Sequence, residues 1–196
     1  MNAPDELLDA LMPVVDAFNQ LGVAHYIGGS VASGAFGEFR ATNDVDVVAD
    51  LREPHAEPLV VALGDAYFAD RDSIRAAIVR RASFNAIHFD TMLKIDVFVL
   101  RDRPYDHEAL RRRVTKRVSL APDAPSVDFA SAEDVILAKL EWFQQGGGVS
   151  ERQWRDVQGV LRVQSGALDL GYLRRWSVVL DLDGQLERAL KEAGAA

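Results

Sequence analysis

Two acidic residues separated by one valine lie in a short apolar segment, NDVDVV at residues 43–48. Side chains alternate between the two faces of a β-strand, so Asp44 and Asp46 point to one side while Val45 and Val47 point into a core. A third acid, Asp96, lies in a similar segment, KIDVFV at residues 94–99. Carboxylates this close repel one another unless a cation lies among them.

A hard divalent cation is the natural partner of such carboxylates. Mg²⁺ prefers oxygen ligands and typically binds one or two carboxylates together with the phosphates of a substrate. The acids therefore predict a metal-dependent phosphoryl or nucleotidyl transfer enzyme. An alternative for Asp44 and Asp46 is that they are strand-end acids that cap a turn. Asp96 could instead be a solvent-facing acid of an edge strand that pairs with Lys94 on the same face.

A glycine pair precedes the first two acids. The pattern predicts a strand over 24–27 and a helix from Ser30 to about residue 36, with Ser30 as its N-cap and a tight turn at Gly28 and Gly29. The start of a helix presents unpaired N–H groups and a partial positive charge, so this turn could hold the triphosphate of a nucleotide. The alternative is an ordinary tight turn with a serine cap.

The remaining periodicity predicts an α/β chain, with a short mixed sheet flanked by helices and a C-terminal helical lobe. Strands 84–89 and 93–100 are joined closely enough to form an antiparallel hairpin. Pro122 and Pro125 indicate a linker, so we expect a core at residues 1–121 and a lobe packed on it at 122–196. Other elements are predicted at residues 7–20, 54–63, 72–81, 114–120, 131–144, 169–180 and 183–193, with a further helix starting at Ser150.

The amino-acid composition argues against several kinds of site and several classes of protein. The chain has no cysteine, which excludes disulfides and thiolate metal sites and fits a reducing cytoplasm. No basic leader or membrane-length apolar run occurs, so we expect a cytoplasmic protein without a membrane partner. The net charge of −8 disfavours a broad nucleic-acid surface and DNA-specific binding. Histidine spacing gives no zinc motif, and the histidines and tryptophans are predicted to be packed or exposed.

A basic stretch at residues 111–117, RRRVTKR, is the exception to this acidic balance. Its arginines either interact with nearby acids at a helix end or dock an RNA or another polyanion. Helical geometry also singles out Lys139, which falls within the apolar arc of its helix. A lysine there snorkels to solvent or reaches a fixed anion, for which a nucleotide triphosphate and Asp156 are the candidates.

The ordered motifs resemble the nucleotidyltransferase superfamily that includes DNA polymerase β. They are YIGGS at 26–30, RATNDVDV at 40–47 and KIDV at 94–97. Within that superfamily they are most similar to the AbiEii-like nucleotidyltransferases, the toxins of type IV toxin–antitoxin systems. EDVILAKLEW at 133–142 and RQWRDV at 152–157 look like that family's downstream lysine and aspartate motif. The resemblance covers roughly residues 20–185.

The resemblance implies a role for each matching residue. Asp44, Asp46 and Asp96 would hold Mg²⁺ or Mn²⁺, and Asp96 would also help to activate the attacking hydroxyl. Lys139 would act in catalysis. The remaining matched residues would bind the nucleotide, although Arg40 and Thr42 could instead order the turn: Gly28, Gly29, Ser30, Arg40, Thr42, Lys94 and Asp156.

The predicted reaction transfers a nucleoside monophosphate from an NTP to an acceptor hydroxyl. The acceptor implied by the family is RNA, perhaps a tRNA end, or a protein side chain, and a cognate antitoxin is a further expected partner. One alternative is a non-catalytic relative that binds nucleotide or antitoxin. Another is an adenylyltransferase that modifies a small molecule such as an antibiotic.

Overall fold

The computed structural model describes residues 4–38, 41–118 and 124–195. Arg40 and Pro122, both singled out by the sequence, lie outside the described residues. The chain forms two compact units, of which the first contains residues 1–28 and 41–129 and the second contains residues 29–40 and 130–196. No helix in the described ranges is both long and apolar enough to cross a membrane.

In the part of the chain that the structure describes, a mixed sheet of seven strands lies in the first unit. The strands are β1 His25–Ile27, β2 Asp44–Ala49, β3 Tyr67–Phe68, β4 Ser83–His88, β5 Lys94–Val99, β6 Val114–Arg117 and β7 Ser126–Phe129. Their spatial order is β3-β4-β5-β2-β1-β7-β6. The pairs β2–β5 and β1–β7 are parallel, and the other neighbouring pairs are antiparallel. The predicted hairpin of β4 and β5 is therefore confirmed.

Helices account for most of the remaining described residues. They are α1 Pro4–Gln20, α2 Gly29–Phe36, α3 Ala56–Leu63, α4 Arg71–Arg80, α5 Pro104–Arg111, α6 Ala132–Gln145, α7 Glu151–Val163, α8 Leu170–Val179 and α9 Asp183–Ala193. In the first unit α1 packs against α3 and β5, and α4 packs against β4. The predicted α/β class with a mixed sheet and flanking helices is confirmed.

One face of the central strands forms the core of the first unit. Val45 and Val47 of β2 are fully buried, and Ile95 and Val97 of β5 are at most 1% exposed. Each such side chain contributes about 1.5–3 kcal/mol of transfer free energy. This burial fixes which way the strands face, because a shift of one residue would turn the acids into the core.

The second unit is helical. At the starts of α6 and α7 the side chains of Ser131 and Ser150 accept the backbone N–H groups of Asp134 and Gln153, as expected of N-caps. The chain from α2 approaches α7 very closely: a Cβ added at Gly37 would lie 2.9 Å from the backbone nitrogen of Val160. Glycine is required there by the contact itself.

Some local predictions were wrong. Ser30 is not an N-cap, because α2 begins at Gly29 and includes it. Neither α5 nor β7 was predicted, since α5 buries only Tyr105, Ala109 and Leu110 and so carries a weak apolar stripe. Strand β7 follows Pro125 directly, in the stretch that the prolines indicated as a linker.

Candidate active site

The register of β2 and β5 decides where the three acids lie. In this parallel pair Asp46 is the direct partner of Asp96, and Asp44 is the partner of Lys94. Neighbouring strands are about 4.8 Å apart, and residues two apart on one strand are separated by about 6.6 Å. Because partners in register share a face, Asp44, Asp46 and Asp96 all lie on the face opposite to the buried valines.

Hydrogen bonds orient two of these carboxylates. The Thr42 hydroxyl donates to Asp44 Oδ1 at 2.6 Å. The side-chain amide of Asn85 donates to Asp96 Oδ1 from the direct partner position on β4. Sequence reasoning missed Asn85, although its position in the predicted hairpin and its polar side chain were a usable signal. Asp96 thus lies on an interior strand, not on an edge strand.

Lys94 places a positive charge among the acids. Its ammonium lies 2.7 Å from Asp96 Oδ2. The pKa of Lys94 is raised, first by the hydrogen bond to Asp96 and also by the negative charges of Asp96, Asp44 and Asp46, while partial desolvation acts in the opposite direction. The ammonium therefore interacts with the whole carboxylate face.

The donors fit a hard divalent cation in chemistry. Carboxylate oxygens are the ligands Mg²⁺ and Mn²⁺ take, and three carboxylates project from one face of two adjacent strands. Over residues 4–38, 41–118 and 124–195, however, no group of three or more His, Cys, Asp or Glu side chains is arranged to hold a metal ion. In this arrangement the Lys94 ammonium contacts Asp96.

The backbone of the turn at Gly28 and Gly29 contacts the acidic strand β2. The N–H of Gly28 donates to the carbonyl oxygen of Asp46 at 2.8 Å, which ties the end of β1 to the acidic strand. Gly29 has φ = +55°, a left-handed conformation that favours glycine. Ser30 is buried in α2, where it belongs to the second unit. Phosphate binding by residues 28–30 stays a prediction.

Lys139 and Asp156 meet within the second unit. The Lys139 ammonium on α6 lies 2.8 Å from Asp156 Oδ2 on α7, and both residues are buried. Asp156 was one of the two anions predicted for Lys139. Catalysis by Lys139 and nucleotide binding by Asp156 stay predictions.

The arginines at 111 and 113 interact with acids. Arg111 forms two hydrogen bonds with Glu108, and Arg113 donates to Asp128 at 2.8 Å. Thr115 of the same stretch also donates to Asp128. These contacts agree with the first of the two interpretations of the basic stretch, in which its arginines interact with nearby acids.

A cavity of ≈ 430 Å³ is formed by residues of the second unit. Its lining residues are Phe143, Gly148, Val149, Glu151, Trp154, Arg155, Gln158, Arg162 and Arg188. The guanidinium of Arg188 lies 4.4 Å from the centre of the Trp154 ring, and the indole N–H donates to Glu192. One face of the Trp154 ring and its N–H group therefore contact residues of the second unit, as expected of a packing residue. None of the predicted site residues that the structure describes lines this cavity.

No protein-family model matches the sequence, and no curated protein matches it. Solved structures do match. The solution structure of the antibiotic-resistance factor ANT(2'')-Ia is 18% identical, covers 97% of each chain and has a TM-score of 0.57. The crystal structure of ANT(2'')-Ia in complex with adenylyl-2''-tobramycin is 14% identical, covers 89% of this chain and 97% of that chain, and has a TM-score of 0.57.

A third similar structure is the crystal structure of an antigenic nucleotidyltransferase-like protein from Paracoccidioides brasiliensis. It is 18% identical and has a TM-score of 0.53, with coverage of 95% of this chain and 93% of that chain. At such low identity these likenesses concern the fold. Together they show that the chain has the α/β fold of nucleotidyltransferases.

Proposed function

We propose that the chain transfers a nucleoside monophosphate from an NTP to an acceptor hydroxyl. The observation that carries the proposal is the parallel register of β2 and β5, which sets Asp46 beside Asp96 and keeps Asp44 on the same face. The nucleotidyltransferase fold supports the same reaction class. The resemblance of the sequence motifs to that superfamily is an independent support.

The reaction is an in-line substitution at phosphorus. The acceptor oxygen forms a bond to the α-phosphorus, the bond from the α-phosphorus to the bridging oxygen breaks, and pyrophosphate leaves with that electron pair. The hydroxyl proton passes to a carboxylate oxygen of Asp96. Asp44, Asp46 and Asp96 would hold Mg²⁺ or Mn²⁺, which would offset phosphate charge when bound. Thr42 and Asn85 keep Asp44 and Asp96 in fixed orientations.

The acceptor we favour is a small molecule with several hydroxyl groups. Arg111 and Arg113 already interact with Glu108 and Asp128, which makes them weaker candidates for docking a polyanion. ANT(2'')-Ia, which has this fold, forms a complex with adenylyl-2''-tobramycin. An aminoglycoside is therefore the first acceptor to test, ahead of tRNA and protein.

A radiolabel-transfer assay tests the proposal. Each α-³²P-labelled NTP is incubated with enzyme, Mg²⁺ and, separately, a panel of aminoglycosides, total tRNA or cell lysate, with Asp46→Asn as the matched inactive variant. We expect label in one acceptor class with the wild type and none with the variant. Absence of labelled acceptor in every mixture at high enzyme concentration contradicts the proposal. Label in tRNA or protein alone refutes the favoured acceptor and supports the RNA or protein prediction.

A non-catalytic nucleotide-binding protein is the second candidate. The ion pair between Lys94 and Asp96 favours it, because one of the three carboxylates already has a counter-charge from the protein and does not need a metal ion for it. This candidate predicts that NTP raises the melting temperature without turnover, in wild type and Asp46→Asn alike. The toxin prediction is tested by induced expression in a bacterial host. Growth arrest by the wild type but not by Asp46→Asn supports it, and equal growth contradicts it.

A further inference from the structure

Lys94 lies on the same face as the acids but is positively charged, whereas the ligands of a metal ion are negative or neutral. It projects from β5 directly opposite Asp44, and its ammonium contacts Asp96 Oδ2 at 2.7 Å. The other oxygen of Asp96 accepts the amide of Asn85. Both oxygens of Asp96 are thus engaged by hydrogen-bond donors of the protein.

A divalent cation and the Lys94 ammonium cannot share Asp96 favourably. Each carries positive charge, and two cations on one carboxylate repel strongly at contact distance. Asn85 is neutral and holds Oδ1, so it orients the carboxylate without competing for charge. Oδ2 is the oxygen for which Lys94 and a metal ion would compete.

Lys94 is able to move away from Asp96. Its side chain is 44% exposed, whereas that of Asp96 is 15% exposed. A lysine carries a compact charge on a flexible four-carbon stem and keeps its hydration when it turns toward solvent. The backbone of both strands is fixed by the buried valine and isoleucine face, so displacement requires only side-chain rotation.

We propose that Lys94 is a displaceable counter-cation: it offsets part of the negative charge of Asp44, Asp46 and Asp96 when no metal is bound, and it leaves Asp96 when a divalent cation binds. This inference rests on the proposed function, because it takes the three acids as the metal ligands. Lys94 then weakens cation binding in the absence of nucleotide. Once released, its ammonium is available to the phosphates that arrive with the cation, which couples metal binding to NTP binding.

Mn²⁺ titration by calorimetry, without nucleotide, tests the inference. Lys94→Met removes the ammonium and keeps the length of the side chain, so we expect its Kd for Mn²⁺ to fall by about tenfold or more, the factor given by about 1.4 kcal/mol. Lys191→Met, an exposed residue of α9, removes the same charge from the second unit and should stay within about twofold of wild type. Asp46→Asn in the Lys94→Met background should abolish the gain.

A second variant controls for misfolding. Lys94→Gln keeps a hydrogen-bond donor for Asp96 without the charge, and it should also tighten Mn²⁺ binding, with a circular dichroism melt to confirm folding. Unchanged or weaker Mn²⁺ binding by folded Lys94→Met or Lys94→Gln overturns the inference. If wild type transfers label with Mg²⁺ while the Lys94 variants bind Mn²⁺ as it does, the inference fails and the proposed function stands. If none of these proteins binds Mn²⁺, both the inference and the assignment of the acids as metal ligands fail.

Discussion

Lys139 and Asp156 form an ion pair inside the second unit, with 6% of each side chain exposed. The pair joins α6 to α7 at a depth where neither charge is well hydrated. A buried pair costs desolvation free energy to form, but removal of one partner leaves an isolated buried charge. The stability of the second unit therefore depends on keeping both residues or neither.

Lys139→Met should lower the free energy of unfolding by about 3–5 kcal/mol, because the buried Asp156 carboxylate loses the ammonium that offsets its charge. The double variant with Asp156→Leu should recover most of that loss. Urea unfolding followed by circular dichroism measures both. Arg174→Met is the control, since its pair with Glu187 is about half exposed and exposed ion pairs add little to stability. A single variant as stable as this control would contradict a structural role for the pair.

Asp46→Asn should reduce nucleotidyl transfer by about 10³-fold, because loss of one metal-holding carboxylate removes several kcal/mol of transition-state stabilisation. The melting temperature should not fall, since the change removes one of three neighbouring negative charges. Asp65→Asn, an exposed acid of the first unit, is the matched control and should transfer label at the wild-type rate. Transfer by Asp46→Asn at a rate close to that of wild type would rule out the assignment of Asp46.

Asn85→Ala should lower transfer by about 10–100-fold, the usual effect of removing a residue that orients a metal ligand. The amide of Asn85 fixes Asp96 Oδ1, and the exposed position of Asn85 makes a large loss of stability unexpected. Initial rates over a range of Mn²⁺ concentrations measure the effect. Ser83→Ala, an exposed change on the same face of β4, should have no effect on the rate. Equal rates for both variants would remove Asn85 from the site.

His25 should make the protein less stable in mild acid. Its ring is buried, and its Nδ1–H donates to the carbonyl oxygen of Val23 at 2.9 Å. Burial lowers the pKa of His25 below its ordinary 6.5, and this effect exceeds the opposing hydrogen bond to Val23 and charge of Asp128. The unfolded chain therefore binds more protons below about pH 6.5, and stability is lost as the pH falls from there through the folded-state pKa.

The free energy of unfolding should decline over that range by up to about 1.4 kcal/mol per pH unit from this one proton. His25→Gln removes the titrating group and should flatten the dependence by this amount. Urea unfolding at a series of pH values below 7 provides the measurement. Parallel pH dependences for the two proteins would show that His25 does not titrate differently on folding.

Local sequence patterns determined much of the fold and the relative orientation of two of the three site acids. Alternation placed Asp44 and Asp46 on one face, because side-chain direction in a strand depends only on parity. The hairpin of β4 and β5 and the capped starts of α6 and α7 were also readable, since each depends on residues close in sequence. The helix α5 was missed because its polar surface hides the short apolar stripe that packs.

Tertiary structure alone decided which distant residues become neighbours. Asp46 and Asp96 are partners because β5 inserts between β4 and β2, a pairing of segments far apart in the chain that the buried faces of the whole sheet select. The same pairing makes Asp44 of β2 the neighbour of Lys94 on β5. Residues 29–40 likewise belong with the C-terminal helices, through contacts such as that of Gly37 with Val160. The sequence determined which residues are charged and which of them share a face of a strand. Long-range packing determined which residues become neighbours, because packing depends on surfaces that exist only in the folded chain.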